Sequence, residues 1–510
     1  MPRSVLRPLA PRPPGATSPL TAPDGRAVHV VHLVAELAPF ARSGGLGEAV
    51  ASLAGFQAAS GVPTTVVMPL YGIVRLTAPA IEPAGPAFDV QVGPRRETVR
   101  LWRLATVDPA DRSVPHVYFV ESAEYFDRPY LYGPPGGDYP DNARRYACFA
   151  MAALAALPGL APGPRVLHAH DWHAALAPVY LRTAFAADPR YASTSVVLSV
   201  HNAGYQGHFP PATVPDVGLP WSLFDWRRLE WHGQLNLLKG GLAFADVVTT
   251  VSPTHAHELR TAAGGFGLEG AFVALRDRLV GITNGIDQRH WDPAADPLLA
   301  APYSAAAPEA KGACRRALQR EMGLRELDGV PIFAMSARMV WQKGLDLILG
   351  DPSYFALDAQ FVFLGAGEPR YEQALSAIAA RAPSRIVVQT RFTDDLEHRL
   401  LAGADMCLMP SLYEPCGLTQ MRAQRYGTIP VARRVGGLAD TIEDGVTGFL
   451  FDEFTTADFV RAIMRAVDQY GEPTGWRHVQ QEAMSRDFGW EQSAARYLGA
   501  YRRAMAVGQG

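Results

Sequence analysis

The sequence predicts an α/β fold made of two doubly wound, Rossmann-like domains. Three observations point to it: a length of 510 residues, two successive series of short apolar runs, and polar clusters that directly follow several of those runs. This length exceeds one ordinary domain and suits two domains of about 200–250 residues each. Short, continuous runs of β-branched residues separated by helical patterns are typical of parallel strands covered on both faces.

The candidate strands fall into two series along the chain. The first series covers residues 28–34, 64–68, 117–120, 166–168, 195–200 and 247–251. The second series covers residues 332–336, 361–364, 385–388, 406–409 and 430–432. Helical patterns lie between them, so each series predicts one parallel sheet wrapped by helices.

Composition shifts predict the domain limits. We expect a disordered, proline-rich tail over residues 1–27, a first domain over 28–283 and a linker over 284–308. A second domain follows over 309–488, and a helix over 489–510 is expected to cross back to the first domain. Ligands of such sheets bind beyond the carboxyl ends of the strands. Two domains of this kind facing each other would form an interdomain cleft there.

The bulk composition excludes several functional classes. A net charge of −3 gives no reason to expect a nucleic acid or a membrane as partner. No apolar run approaches the ~20 residues that span a bilayer. The four cysteines are far apart and lack metal-ligand spacing, which predicts neither disulfides nor zinc and indicates a cytoplasmic protein.

A glycine-rich loop follows the first candidate strand. It reads Arg-Ser-Gly-Gly-Leu-Gly-Glu over residues 42–48 and precedes a helical pattern. Glycines allow close backbone approach to a ligand, and free N–H groups at a helix start attract an anion. Arg42 would add a fixed positive charge. The alternative is an ordinary tight turn.

Two polar clusters end strands of the first domain. The first is His-Ala-His-Asp-Trp-His over residues 168–173, and the second begins with His201 and Asn202. The three histidines of the first cluster could suggest a metal, but no fourth ligand is evident and we expect none. Asp171 and the His201–Asn202 pair suit recognition of substrate hydroxyl groups. Trp172 and one or two of the histidines are expected to pack in the core.

Two clusters in the second domain suit an anionic leaving group. Arg338 and Lys343 follow one strand, and arginine can bind a diphosphate bidentately while lysine acts as a point charge. Glu414 precedes Pro-Cys-Gly and a helical pattern, so its carboxylate can accept hydrogen bonds from sugar hydroxyls. Cys416 has no activating histidine nearby, and we do not expect it to be a nucleophile.

Taken in order, these motifs resemble the bacterial glycogen synthase and plant starch synthase family of glycosyltransferases. The resemblance runs from Val28 to Arg503 and also includes residues 126–129, 137–142, 238–242, 284–287 and 487–490. It implies a GT-B architecture with the active site in the interdomain cleft. It also implies transfer of glucose from ADP-glucose to glycogen or another α-1,4-glucan, with retention and without a metal or other cofactor.

The resemblance also implies roles for individual residues. Arg338 and Lys343 would stabilise the departing diphosphate, and Glu414 would be the essential acid near the transferred sugar. Asp171, His201 and Asn202 would orient the glucose and stabilise its oxocarbenium-like state. The expected substrate-binding residues are Arg42, Gly44, Gly45, Glu48, Asn202, Asn284, Gln342, Phe392, Cys416, Gly417, Leu418 and Thr419.

Three departures from the family pattern keep alternatives open. The family's donor loop usually begins Lys-Thr, where this chain has Arg42 and Ser43, so UDP-glucose remains a possible donor. Glu48 replaces an aspartate, and Arg422 stands where the family often has tyrosine. The first alternative is another GT-B transferase, one that makes a glycoside, disaccharide or glycolipid. Many such enzymes carry a second glutamate at the position of Arg422, so the arginine disfavours this alternative. The second alternative, a non-catalytic binding homologue, is disfavoured because the charged residues are all present.

Overall fold

The computed structural model describes residues 20–78, 80–134 and 136–507. The chain divides into two compact units. The first comprises Met1–Val251, Ala256–Ile282 and Trp490–Gly510, and the second comprises Ser252–His255 and Thr283–Gly489. No helix within the described ranges is long and apolar enough to cross a membrane, and all four cysteines are free and buried.

The first unit is built on a large mixed sheet and a small antiparallel one. Its strands are β1 His29–Leu33, β2 Thr64–Pro69, β3 Ile81–Pro83, β4 Phe88–Val92, β5 Arg95–Leu104, β6 His116–Glu121, β7 Arg165–His170, β8 Thr194–Val200, β9 His208–Phe209, β10 Glu230–Trp231, β11 Gln234–Asn236, β12 Val247–Thr250 and β13 Leu279–Gly281. The large sheet has the order β13-β12-β8-β7-β1-β2-β6-β5-β3, and β4 pairs with β5. The strands from β13 to β6 are parallel, whereas β3, β4 and β5 pair antiparallel.

The second unit holds one parallel sheet. Its strands are β14 Ile332–Ser336, β15 Gln360–Leu364, β16 Ile386–Gln389, β17 Met406–Met409, β18 Ile429–Arg433 and β19 Phe449–Phe451, in the order β16-β15-β14-β17-β18-β19. All eleven predicted strands are therefore confirmed. The sequence analysis missed eight strands: the short strands β3, β9, β10, β11, β13 and β19, and the strands β4 and β5, in which apolar residues alternate with exposed ones.

Helices connect these strands and cover the sheets. They are α1 Gly45–Ala59, α2 Gly72–Thr77, α3 Ala123–Phe126, α4 Asn142–Leu160, α5 Asp171–Ala174, α6 Leu176–Arg182, α7 Thr213–Asp216, α8 Leu237–Phe244, α9 Pro253–Glu258, α10 Glu269–Ala274, α11 Lys311–Met322, α12 Leu345–Gly350, α13 Pro369–Ala379, α14 Asp394–Gly403, α15 Thr419–Arg425, α16 Gly436–Thr441, α17 Thr456–Tyr470, α18 Pro473–Ser485 and α19 Trp490–Val507. The last helix belongs to the first unit, where Tyr501 packs in a buried cluster with Val166 and Val197 of the sheet.

Two predicted segments differ from the structure. Residues 1–19 of the predicted tail lie outside the described residues, but residues 20–27 form a turn in which Leu20 is buried and Thr21 pairs with Ala27. The predicted linker over residues 284–308 belongs to the second unit. Its proline and alanine content suggested a linker, yet Trp291 and Tyr303 are buried within it. Apolar burial of these two rings outweighs the turn-forming composition.

Candidate active site

The glycine loop of the first unit is held in place by a buried acid. Glu36 is 3% exposed and follows β1. Its carboxylate accepts a hydrogen bond of 2.5 Å from the backbone N–H of Ser43 and one of 2.6 Å from the Ser43 hydroxyl. The hydroxyl of Tyr132 donates to the same carboxylate. The sequence analysis missed Glu36, although an acid directly behind a strand end was a visible signal.

The residues predicted to bind the donor on this loop lie together. Gly44 caps α1, which begins at Gly45, and a side chain at Gly44 would meet nothing within 4 Å. The first N–H groups of this 15-residue helix have no partner four residues earlier in the helix, and such groups attract an anion. Arg42 forms an ion pair with Glu48 across the loop. The loop thus compensates part of the positive charge that the sequence suggested was available to a ligand.

Asp171 occupies a strained position between β7 and α5. Its φ of +56° lies in the left-handed region that favours glycine. One carboxylate oxygen accepts hydrogen bonds from the backbone N–H of His201 at 2.6 Å and of Asn202 at 3.4 Å. Burial raises the pKa of Asp171 to about 7, and the charge of Glu36 adds to that rise. A strained, buried carboxyl that titrates near neutrality is typical of a functional site.

His201 and Asn202 stand beside Asp171 because β7 and β8 are parallel neighbours. The Nε2 atom of His201 lies 3.0 Å from Nδ1 of His170. Burial lowers the pKa of His201 to about 3, so its ring is neutral at physiological pH. The side-chain oxygen of Asn202 accepts the N–H of Gly204 at 2.9 Å, which leaves its NH₂ group for a ligand.

The other residues around Asp171 are buried. Trp172 is 7% exposed and stacks on His173 with 4.1 Å between ring centroids, which confirms its predicted packing role. The ring nitrogens of His32, His168 and His170 offer ligand atoms within 4.8 Å of one another. All six of these nitrogens already lie within hydrogen-bond distance of a protein atom. These bonds would have to break before the three rings could hold a cation.

The second unit brings Lys343 and Glu414 together. The Nζ atom of Lys343 donates to the Glu414 carboxylate at 2.6 Å, and the Ser411 hydroxyl donates to the same oxygen at 3.0 Å. The side chains of Lys343 and Glu414 are 19% and 7% exposed. The loops that carry them follow β14 and β17, which are parallel neighbours. The pair therefore lies at the carboxyl edge of the sheet, as the sequence predicted.

Arg338 lies in the same loop as Lys343 but in a different environment. It is exposed, and its guanidinium has no hydrogen-bond or ion-pair partner within the described ranges. A planar guanidinium in this state can bind a phosphate group bidentately. The loop from Arg338 to Lys343 thus carries one unpaired and one paired cation.

The loop after Glu414 turns sharply and leads into a helix. Gly417 has a φ of +72°, and a Cβ there would lie 2.3 Å from the Gln420 amide oxygen. The predicted helix begins at Thr419, with Leu418 as its cap residue. Burial raises the pKa of the Cys416 thiol to about 12, so the thiolate is scarce near neutral pH and a nucleophilic role is disfavoured.

Three further predicted binding residues take no part in the Lys343–Glu414 bond itself. Gln342 is 4% exposed, and its amide donates to the Tyr413 carbonyl at 3.2 Å, so it braces the loop. Asn284 is buried, and its side-chain oxygen has no partner within the described ranges. Phe392 is 43% exposed and follows the edge strand β16, two strands from β14. Contact of these residues with substrate remains a prediction.

The position eight residues after Glu414 has a structural role. Arg422 is 7% exposed and donates to the Glu397 carboxylate at 3.0 Å. Its guanidinium also lies 4.4 Å from the centroid of the Trp291 ring. A cation that is paired and stacked in this way braces the core of the unit.

Known proteins share these features over nearly the whole chain. Residues 29–274 match the family described as starch synthase catalytic domain, and residues 330–469 match glycosyl transferases group 1. Glycogen synthase of Anaeromyxobacter dehalogenans (strain 2CP-C) is 42% identical over 483 residues, with 93% of this chain and 99% of the relative covered. Glycogen synthase 2 of Geobacter sulfurreducens is 41% identical, with 94% and 100% covered.

A solved structure gives the same result. The catalytic domain of starch synthase IV from Arabidopsis thaliana, bound to ADP and acarbose, superposes with a TM-score of 0.85 at 30% identity. The alignment covers 94% of this chain and 99% of that domain. Two Rossmann-like units with these strand-end clusters define a glycosyltransferase of the GT-B class. Within that class, the chain belongs to the glycogen synthase and starch synthase family.

Proposed function

We propose that this enzyme transfers glucose from ADP-glucose to the 4-hydroxyl at the non-reducing end of an α-1,4-glucan, with retention at the anomeric carbon. The observation that carries this proposal is the Lys343–Glu414 pair at the carboxyl edge of the second sheet, in the same loop as the unpaired Arg338. The similarity to glycogen synthases and to a starch synthase bound to ADP and acarbose supports the choice of substrates.

The second unit provides for the leaving group. When the glycosidic phosphate bond breaks, negative charge develops on the β-phosphate of the donor. The exposed guanidinium of Arg338 binds the diphosphate, and Lys343 supplies a second positive charge. Glu414 holds the ammonium of Lys343 in place and offers its remaining oxygen to a sugar hydroxyl. These cations supply the charge that Mg²⁺ provides in other transferases, so the proposal includes no resident metal or other cofactor.

The first unit provides for the sugar. An ionised Asp171 stabilises positive charge as it develops at the anomeric carbon, and the neutral ring of His201 accepts a hydrogen bond from a glucose hydroxyl. The free NH₂ group of Asn202 donates to another hydroxyl. The open N-terminus of α1 attracts the donor phosphates through its N–H groups.

A parallel assay with two donors tests the reaction. Purified enzyme is incubated with ADP-glucose or UDP-glucose carrying labelled glucose, with glycogen and without an acceptor, and incorporation into glucan is measured. We expect incorporation from ADP-glucose only when glycogen is present, unchanged by a metal chelator. The new linkage should be cleaved by an α-1,4-specific amylase, which reports retention.

The matched control is Lys343→Ala, which lacks the paired cation and should extend glucan at least about 100-fold more slowly than the parent. If the parent enzyme extends glucan with neither donor, the proposal is refuted. A preference for UDP-glucose would overturn the donor assignment and leave the reaction class intact.

A further inference from the structure

A continuous chain of buried hydrogen bonds runs from the C-terminal helix to His201. The hydroxyl of Tyr501 lies 2.9 Å from the amide nitrogen of Gln57, and the Gln57 oxygen lies 2.8 Å from Nε2 of His32. The Nδ1 atom of His32 lies 3.0 Å from Nε2 of His170. Nδ1 of His170 then lies 3.0 Å from Nε2 of His201. These hydrogen bonds therefore join α19, α1, β1 and β7 to His201, the residue after β8.

The three imidazoles in this row of hydrogen bonds are neutral. Burial lowers the pKa of His32 to about 4, that of His201 to about 3, and that of His170 well below its ordinary value. A neutral imidazole has one nitrogen that donates and one that accepts. Once the role of any one nitrogen is fixed, every other nitrogen along the row is fixed as well, because each bond needs one donor and one acceptor.

Gln57 is the group that sets the direction. Its carbonyl oxygen can only accept, so Nε2 of His32 carries the hydrogen and Nδ1 of His32 accepts from Nε2 of His170. Nδ1 of His170 is then an acceptor as well, and it takes the hydrogen on Nε2 of His201. A histidine can exchange its donor and acceptor by moving a proton. An amide can exchange its donor and acceptor only by rotating. The NH₂ group of Gln57 is bonded to Tyr501, and this bond would have to break first.

A second set of hydrogen bonds, made by His168, holds the Tyr501 hydroxyl in place. Nδ1 of His168 lies 2.9 Å from the Tyr501 hydroxyl, and Nε2 of His168 lies 2.7 Å from the Ser199 hydroxyl. The Tyr501 hydroxyl accepts from Gln57 and donates its single hydrogen to His168. The hydroxyl thus bonds both Gln57 and His168, which holds it in place beside the Gln57 amide.

We infer that Gln57 and Tyr501 are positioning residues that hold His201 in the tautomer with its hydrogen on Nε2, acting through His32 and His170. The Nδ1 atom of His201 is then a bare acceptor, and no protein group within the described ranges bonds it. That lone pair takes the hydrogen of a substrate hydroxyl. The backbone N–H of His201 is held separately by Asp171. The substrate part of this inference rests on the proposed function, whereas the tautomer does not.

Nitrogen-15 NMR of the imidazoles tests the tautomer directly. The full-length protein is labelled with ¹⁵N-histidine, and two-bond proton–nitrogen correlations distinguish a protonated from a bare ring nitrogen. The His201 signals are assigned by their loss in His201→Gln. We expect Nε2 of His201 to be protonated and Nδ1 to be bare. A hydrogen on Nδ1 in the parent protein would overturn the inference, whether or not the enzyme extends glucan.

Two distant substitutions test control of that tautomer. Tyr501→Phe removes the acceptor of the Gln57 amide, and Gln57→Met removes the amide but keeps its length. Both should give a mixture of His201 tautomers and lower kcat by about tenfold or more, with little change in donor KM. The expected loss is moderate because only part of the molecules hold the wrong tautomer, whereas a catalytic histidine fixed entirely in the wrong tautomer loses far more than tenfold in kcat.

The matched control is Tyr191→Phe, which loses a buried hydroxyl that donates to the Leu154 carbonyl of the same unit at 2.8 Å. It should keep both the tautomer and kcat. An unchanged His201 tautomer in Tyr501→Phe and Gln57→Met would refute the inference. Equal losses of kcat in Tyr191→Phe and Tyr501→Phe would also refute it, because they would indicate a general loss of stability.

Discussion

Replacing Asp171 by asparagine should make the protein more stable and less active. Asparagine keeps the oxygen that accepts the N–H groups of His201 and Asn202, and it tolerates the left-handed backbone at this position. What the substitution removes is the buried negative charge. With a pKa of about 7, the carboxyl ionises near neutral pH against a cost of burial, which is typical of a group kept for function.

The size of the effect follows from the pKa. Burial raises the Asp171 pKa from 3.8 to about 7. Between these two values the folded protein keeps a proton that the unfolded chain has lost, so the contribution of Asp171 to stability falls as pH rises through this window. Above pH 7 the full penalty applies, and it amounts to about 4 kcal/mol. The amide that replaces the carboxyl in the variant does not titrate and does not carry this penalty.

The assay is thermal unfolding of both proteins between pH 5 and pH 8. We expect the stability advantage of the variant to grow from about 2 kcal/mol at pH 5 to about 4 kcal/mol at pH 8, the latter on the order of 10 °C in Tm. Asp108→Asn, at an exposed turn of the same unit, is the control and should track the parent. Equal pH dependence in the parent and in Asp171→Asn would refute the reasoning.

The same change should act on turnover in the opposite direction. If the ionised carboxylate stabilises the transition state, kcat of the parent should fall as pH drops below about 7. The variant should lose at least about tenfold in kcat at pH 8 and should lack this acid limb. Retention of the acid limb in Asp171→Asn would assign the titration to another group.

Two further predictions concern the second unit. Lys343→Ala and Glu414→Gln should each lower kcat by at least about 100-fold, because each removes charge or orientation at the leaving group; near-normal initial rates would show that the pair is structural. Gly417→Ala should destabilise the protein by about 1–2 kcal/mol and raise the donor KM, because its φ of +72° and the nearby Gln420 amide oppose a side chain. Gly312→Ala, inside α11, is its control and should be neutral or slightly stabilising; equal effects at both glycines, measured by urea unfolding, would contradict the argument.

The sequence by itself determined the central strands and the order of the strand-end clusters. Continuous β-branched runs such as Thr64–Pro69 are buried on both faces, so their local pattern is sufficient to identify them. The strand Arg95–Leu104 alternates between buried and more exposed residues, and its antiparallel pairing with β3, β4 and β6 depends on partners that the local pattern does not specify. Polar residues in the loops that follow the central strands, such as Asp171 and Lys343, could be selected because parallel strands end at one edge.

Only the tertiary structure decided which of these groups act together. The bond from Lys343 to Glu414 spans 71 residues, and the bond from Gln57 to Tyr501 spans 444. Sequence spacing carries no information on such contacts. The first arises when neighbouring strands of the second unit end at one edge of its sheet, and the second when the C-terminal helix packs on the first unit. The same packing removes water from Asp171 and His201 and so shifts their pKa values in opposite directions. Burial disfavours whichever form is charged, and only the folded chain determines which groups are buried.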